Sequence, residues 1–339
     1  MSIYLERYSY GPQIIKDPPS ADLELIVVIP SYDEPDLVKT LESLSKCESI
    51  VGSVEVIVVI NHSSSDPWDL ANRSQNSLAE CTDWALGQTR DLSFYFTYQV
   101  LPSKHAGVGL ARKTGMDEAV RRFEQVNADG IIVCLDADCT CAPNYLQAIQ
   151  NHFKHNLSSP GCSIYFEHNL ENAKGPHLDA IAGYELHLRY YVNGLRYSNL
   201  PSAFQTVGSA MAVRCSAYQK QGGMNKRKAG EDFYFLQRMI KLGGFTNLTS
   251  TTVYPSSRIS QRVPFGTGRA MIESTQSQEN EYMTYHPNTF NDLKQFISPL
   301  LQLRGSSSNE IAAVWNGLPL SLIHISEPTR HICLSRMPS

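Results

Sequence analysis

The chain has 339 residues, 42% hydrophobic and 18% charged, which supplies apolar material for a sizeable core and excludes a disordered or low-complexity chain. Its net charge of −4, from 29 basic and 33 acidic residues, gives no electrostatic footprint for nucleic acid, so none is expected as a partner. No run reaches the roughly 20 apolar residues of a membrane helix, and Met1–Ser20 is polar and proline-bearing, unlike a secretory leader. The expectation is a cytoplasmic protein, at most peripheral to a membrane.

Leu23–Pro30 is a continuous apolar, β-branched run and reads as a buried parallel strand. Glu34–Cys47 follows with helical spacing, Leu37, Leu41 and Leu44 sharing a face. Val54–Ile60 reads as a second buried strand, and Pro67–Leu86 as a helix with Asp66 as its cap. Leu92–Val100 is a third strand, Val108–Val126 an amphipathic helix, and Ile131–Leu135 a fourth strand ending at Asp136. This alternation predicts an α/β fold, a mostly parallel sheet flanked by helices. Ligands of such sheets bind outside the carboxyl ends of the strands.

The second half is less regular. Leu178–Asn193 and Glu231–Leu242 read as helices, with Gly243-Gly244 stopping the latter; Phe204–Val213 and Thr246–Tyr254 read as strands. The expected organisation is one domain over residues 1–304, with a nucleotide-binding half (22–140) and a smaller, irregular acceptor-side half (141–304). The tail from 305 to 339 lacks a clear period. Its run Ser321–Arg330 looks like a translated adapter rather than native sequence. The eight cysteines lack paired C-x-x-C spacing and read as free thiols.

Three constellations carry chemistry. Asp136-Ala137-Asp138 follows the fourth strand, and residues two apart in an extended chain point the same way. Two carboxylates at that edge suit Mn²⁺ or Mg²⁺ and leave coordination positions for a diphosphate. Gly230-Glu231-Asp232 opens a helix. First-turn acids are favoured by the helix dipole, but a carboxylate there also serves as a general base toward an acceptor hydroxyl. Lys104–Lys113, with Gly107, Gly109 and Arg112, joins the third strand to a helix whose amino end attracts phosphate. It is not a dinucleotide fingerprint, because Arg112 stands where the third small residue belongs.

From Leu23 to Thr252 these features in order resemble the family 2 glycosyltransferases of the GT-A fold, a Rossmann-like architecture. Val28-Ile-Pro30-Ser-Tyr32-Asp33-Glu34 is similar to the family's Pro-x-Tyr-Asn-Glu, which nominates Pro30, Tyr32 and Glu34 for the nucleotide pocket. Asp33 replaces the usual Asn. The family's basic, glycine-containing helix start maps onto Gly107 to Arg112, and its metal motif onto Asp136 and Asp138. Gly208 to Arg214 and Gly222-Gly223 resemble the stretch before its acidic motif. Glu231-Asp232 take the Glu-Asp position, with Asp232 the implied base, and Leu236 and Arg238 match residues further along that helix.

The resemblance implies an inverting transfer of sugar from a UDP- or GDP-sugar to a glycan, lipid-linked or small-molecule acceptor. One departure touches the donor: where the family carries Asp-Asp after the second strand, this chain has Asn61-His62. Asn61 still accepts a bond from a base N–H, more weakly than carboxylate does. Arg258 to Arg269 resembles a Gln-x-x-Arg-Trp motif only at Gln261 and Phe265, with Pro264 in place of its Arg, so polymer synthesis is not inferred. Arg262 and Arg269 are nominated for the diphosphate, and His286 is considered as a third metal ligand. Two other readings stand: a nucleotidylyltransferase, disfavoured because Ser31–Pro35 replaces its glycine-rich signature, and a non-catalytic nucleotide- or glycan-binding scaffold.

Overall fold

The computed structural model describes residues 2–88, 92–170, 174–258 and 284–303, with isolated positions at 307, 309, 310 and 313. Arg262, Arg269 and the run Ser321–Arg330 lie outside the described residues. The chain divides into two compact units, one of Met1–Asn169 with Thr206–Ser256 and one of Leu170–Gln205 with Ser257–Ser339.

The first unit is built on an eight-stranded sheet. Strands β1 (Leu23–Ser31), β2 (Ser53–Ser63), β3 (Leu92–Leu101) and β4 (Ile131–Cys134) lie in the order β3-β2-β1-β4, all parallel. Both faces of β1 and β2 are buried, which is why they read as unbroken apolar runs. Beyond β4 the sheet is mixed. It continues with β7 (Met211–Arg214), β6 (Gly161–Phe166), β8 (Thr246–Tyr254) and the short β5 (Thr140–Cys141). Only the β6–β8 pairing there is parallel. The strand expected over Phe204–Val213 is confined to β7; the residues before it form turns that deliver Gly208 to the site.

Its helices are α1 (Ile3–Arg7), α2 (Leu37–Ser45), α3 (Trp68–Leu86), α4 (Val108–Gln125), α5 (Tyr145–His155), α7 (Cys215–Lys220) and α8 (Glu231–Ile240). Asp66 does not cap α3. Pro67 occupies that position, and an Asp66 carboxylate oxygen accepts the Ser63 N–H at 2.7 Å, closing a turn at the end of β2.

Helix α4 is the centre of the unit, buried almost all round from Gly109 to Phe123. A Cβ on Gly115 would lie 2.5 Å from Val28 Cγ1, so glycine lets the helix rest directly on β1. The buried charges of α4 are paired, as burial demands. Lys113 meets Asp117 at 3.1 Å, and Arg122 forks onto Glu55 of β2. The amino-terminal segment straps across this helix. The Tyr10 N–H donates to Asp117 at 2.6 Å, and the N–H groups of Ile14 and Ile15 donate to Glu118 at 3.1 and 3.0 Å. Arg122 donates to the Asp17 carbonyl at 2.9 Å. Backbone donors leave no residue signature, so Met1–Ser20 shows no such role in the sequence.

The second unit contains α6 (Pro176–Tyr197) and α9 (Pro287–Gln302), which meet where Phe290 lies over Gly194 and the Ser198 hydroxyl donates to the Phe290 carbonyl at 2.9 Å. His286, considered as a metal ligand, is instead the cap of α9: its Nδ1 accepts the Asn288 N–H at 3.2 Å. The seven described cysteines are buried free thiols.

Candidate active site

Strands β1, β2 and β4 deliver their carboxyl ends to one edge. Pro30 is buried in β1 opposite Val59, and Tyr32, just beyond the strand, stays 37% exposed. Asp33 sits at φ 48°, a left-handed conformation that Asp and Asn tolerate better than other side chains. It is forked by Arg73 of α3 at 2.7 and 2.9 Å. Glu34 is buried and accepts the Asp36 N–H at 2.9 Å, which fixes the turn into α2.

Asn61 is buried near the end of β2. Its amide nitrogen donates to the carbonyls of Ser31 at 2.9 Å and Val59 at 3.2 Å, tying β2 to β1 and presenting its carbonyl oxygen as the acceptor. Beside it, His62 is held between the Ser63 carbonyl at 2.9 Å and the Tyr98 hydroxyl at 2.7 Å.

Strand β4 stops at Cys134, ahead of Asp136. The chain turns through Ala137 and Asp138, closed by the Cys139 N–H donating to the Asp136 carbonyl at 3.1 Å. The two carboxylates are therefore presented by a turn, not by strand alternation. Both side chains are partly exposed, Asp136 by 37%.

Arg112 organises what lies around them. Its guanidinium, 1% exposed, donates through Nη2 to Asp136 at 2.5 Å and through Nη1 to Glu231. Two segments far apart in sequence, the end of β4 and the start of α8, thus meet on one buried cation. Burial pulls the Arg112 pKa down, but the facing carboxylates Asp136 and Glu231 more than offset it and hold the group charged. Gly208 makes room, since a Cβ there would lie 2.5 Å from Arg112 Nη1. The Gly208 N–H donates to Asp232 at 2.9 Å, and the Phe233 N–H donates to its other oxygen at 2.7 Å. Burial pushes the Asp232 carboxyl above the ordinary range, against the opposing pull of Arg112. The same burial raises Glu231.

The geometry places three of the nominated groups. The two terminal nitrogens of Arg112 are bonded to carboxylates in the interior. Glu231, grouped with the catalytic residues, is 3% exposed and serves as a counter-ion to Arg112, leaving Asp232 as the partly exposed acid of the pair. Gly107 and Gly109 lie against protein backbone. A Cβ on Gly107 would lie 2.7 Å from Lys228 Cα, and one on Gly109 would collide with the Arg227 carbonyl. Gly208 is singled out in the sequence only as part of the stretch before the acidic motif, and the loop 225–228 and the amino-terminal strap are not nominated from it. Their roles depend on neighbours far along the chain.

Among the described residues no group of three or more His, Cys, Asp or Glu side chains gathers into a metal site. Asp136 and Asp138 are a two-carboxylate set, which fits Mg²⁺ or Mn²⁺ completed by substrate phosphates rather than enclosed by protein.

The model of the family described as Glycosyl transferase family 2 matches residues 26–222, more than half of the chain. The chain belongs to that family and is a glycosyltransferase of the GT-A fold. The matched span contains Asp136, Asp138 and Arg112 and ends ahead of Gly230. Among solved structures, S. aureus TarS 1–349 in complex with UDP-GlcNAc is similar at 14% identity, covering 87% of this chain and 82% of that one with a TM-score of 0.49. The same TarS segment in complex with UDP is similar at 13% identity, covering 88% and 77%, with a TM-score of 0.43. No curated protein matches the sequence. Among the described residues, no helix is long and apolar enough to cross a membrane.

Proposed function

We propose that the chain transfers a sugar from a nucleoside-diphosphate donor to an acceptor hydroxyl by a single displacement that inverts the anomeric centre. The observation that carries this reading is the bridge from Arg112 to Asp136 and Glu231, which sets Asp232 beside the carboxylate-bearing turn after β4.

In this reading Tyr32 and the Asn61 carbonyl oxygen line the nucleotide pocket, with Pro30 and Glu34 shaping its floor. Asp138 and Asp136 would hold a divalent ion. When bound, that ion neutralises the charge developing on the departing diphosphate. Asp232 accepts the acceptor's hydroxyl proton as the acceptor oxygen bonds to the anomeric carbon and the carbon–phosphate oxygen bond breaks. The raised Asp232 pKa strengthens it as a base. Its two backbone bonds, from Gly208 and Phe233, aim the carboxylate and keep it from rotating back toward Arg112.

The test is a screen of UDP- and GDP-sugars by thermal shift with and without Mn²⁺, followed by donor hydrolysis. A donor at a hundred times its dissociation constant stabilises by about 2.7 kcal/mol. Asp232→Asn should lower turnover by about 10²–10⁴-fold while keeping the donor-induced shift. Turnover near wild type would remove Asp232 as the base. Stabilisation by donor with no release of nucleoside diphosphate would favour the non-catalytic scaffold.

A further inference from the structure

The loop that leads into α8 reads Asn225-Lys226-Arg227-Lys228-Ala229-Gly230. It places three consecutive exposed cations in a chain whose net charge is −4. Among the described residues none of the three is in an ion pair. The loop is nonetheless firmly seated. Gly107 and Gly109 let its backbone lie against the start of α4. The Asn225 side chain pins it by donating to the Glu231 carbonyl at 2.7 Å and accepting the Arg227 N–H at 3.1 Å.

Two of the cations are also aimed. The Lys226 ammonium stands 4.8 Å from the ring centre of Tyr10, on the amino-terminal strap. The Arg227 guanidinium lies 3.9 Å from the ring centre of Tyr234, which is 47% exposed and two residues beyond Asp232. A basic loop that only promotes solubility needs neither a glycine-lined seat nor aromatic supports. Three cations with no ion-paired acid among the described residues, on the loop that runs into the helix bearing Asp232, make a receptor for negative charge. The metal-bearing turn, by contrast, is acidic.

We propose that Lys226, Arg227 and Lys228 form an anion-recognition site for a phosphate-bearing acceptor, whose hydroxyl is thereby presented to Asp232. This rests on the glycosyltransferase reading above and names the acceptor class. Such phosphate is offered either by a soluble phosphodiester or by a lipid headgroup.

The test measures binding of inorganic polyphosphate, and of phosphatidylcholine vesicles with and without phosphatidylglycerol. It uses the wild-type chain and K226A/R227A/K228A, with thermal unfolding confirming that both are folded. Wild type should bind an anionic probe with steep salt dependence. At roughly fivefold per cation, the triple variant should bind on the order of a hundredfold more weakly. A K226R/K228R variant, which keeps the charge, should bind like wild type. Binding of polyphosphate alone assigns a soluble acceptor, and binding of anionic vesicles alone a lipid-linked one. With free Mn²⁺ held constant, bound probe should also suppress the slow hydrolysis of donor by wild type and leave that of the triple variant unchanged. Equal binding by wild type and triple variant, no binding at all, or binding without effect on hydrolysis overturns the proposal. Release of nucleoside diphosphate by wild type without probe, read in the same series, reports separately on the glycosyltransferase reading, so the two failures are distinguishable.

Discussion

Two arginines on α4 solve the same electrostatic problem in opposite ways. Arg122 is wholly enclosed. It forks onto Glu55, donates to the Asp17 carbonyl at 2.9 Å and the Tyr95 hydroxyl at 3.3 Å, and stacks 4.6 Å from the centre of that ring. Each of its donor nitrogens is used, and its partner Glu55 is 3% exposed. Arg112 is as deeply buried, yet its Nε has no partner among the described residues and one of its carboxylates, Asp136, is 37% exposed. A closed pair contributes only to the fold, whereas an open one keeps a carboxylate available to substrate. Among the described residues one donor lacks a partner at Arg112 and none does at Arg122.

The sharpest way to break this contrast is to neutralise each arginine. Arg112→Met and Arg122→Met should each cost about 3–5 kcal/mol of stability, because each strands buried carboxylate. Only Arg112→Met should also reduce turnover per folded molecule, by tenfold or more as a rough expectation. Unfolding midpoints and specific activities of the two variants side by side check this; equal specific activities would erase the distinction. Gly208→Ala should follow, at about 1–3 kcal/mol, since the new Cβ would displace the Arg112 guanidinium and pull the Gly208 N–H from Asp232. The expected kinetic signature is a lower kcat with the donor KM held. Tyr95→Phe removes one hydrogen bond from the closed site and should cost about 1 kcal/mol with activity unchanged.

The smallest effect is a displacement in pH. A base must be deprotonated to accept a proton, and burial raises the Asp232 pKa. Activity should therefore fall as pH drops, with the acid limb centred above the usual carboxylate value of about 4. A limb at the ordinary value would show that the open site does not perturb its base.

How much of this the sequence discloses depends on how local the cause is. Strands β1, β2 and β4 and the acids at 136 and 138 stand out because a buried parallel strand is an apolar run and an acid at its carboxyl end has no packing reason to be there, whereas Asp232, at a helix start where acids are common, is singled out by the family resemblance. Strand β7, four residues long, offers too short a pattern to separate from the turns before it. The work of Arg112 is invisible because its partner Glu231 lies 119 residues away, and Arg next to small residues at a helix start reads equally well as a phosphate contact. The glycines mislead for the same reason. Absence of a Cβ announces a close approach but not what approaches.

The amino-terminal strap has a practical corollary for anyone cloning this enzyme. A fragment trimmed to the span matched by its family, residues 26–222, would discard the backbone donors that satisfy Asp117 and Glu118, and with them α8 and β8. Asp117 would keep Lys113 and the Tyr218 hydroxyl, and Glu118 would keep Arg121, but each would lose its backbone donors, and Arg112 would lose Glu231. A fragment that keeps these partners therefore runs from Ser2 to beyond Tyr254.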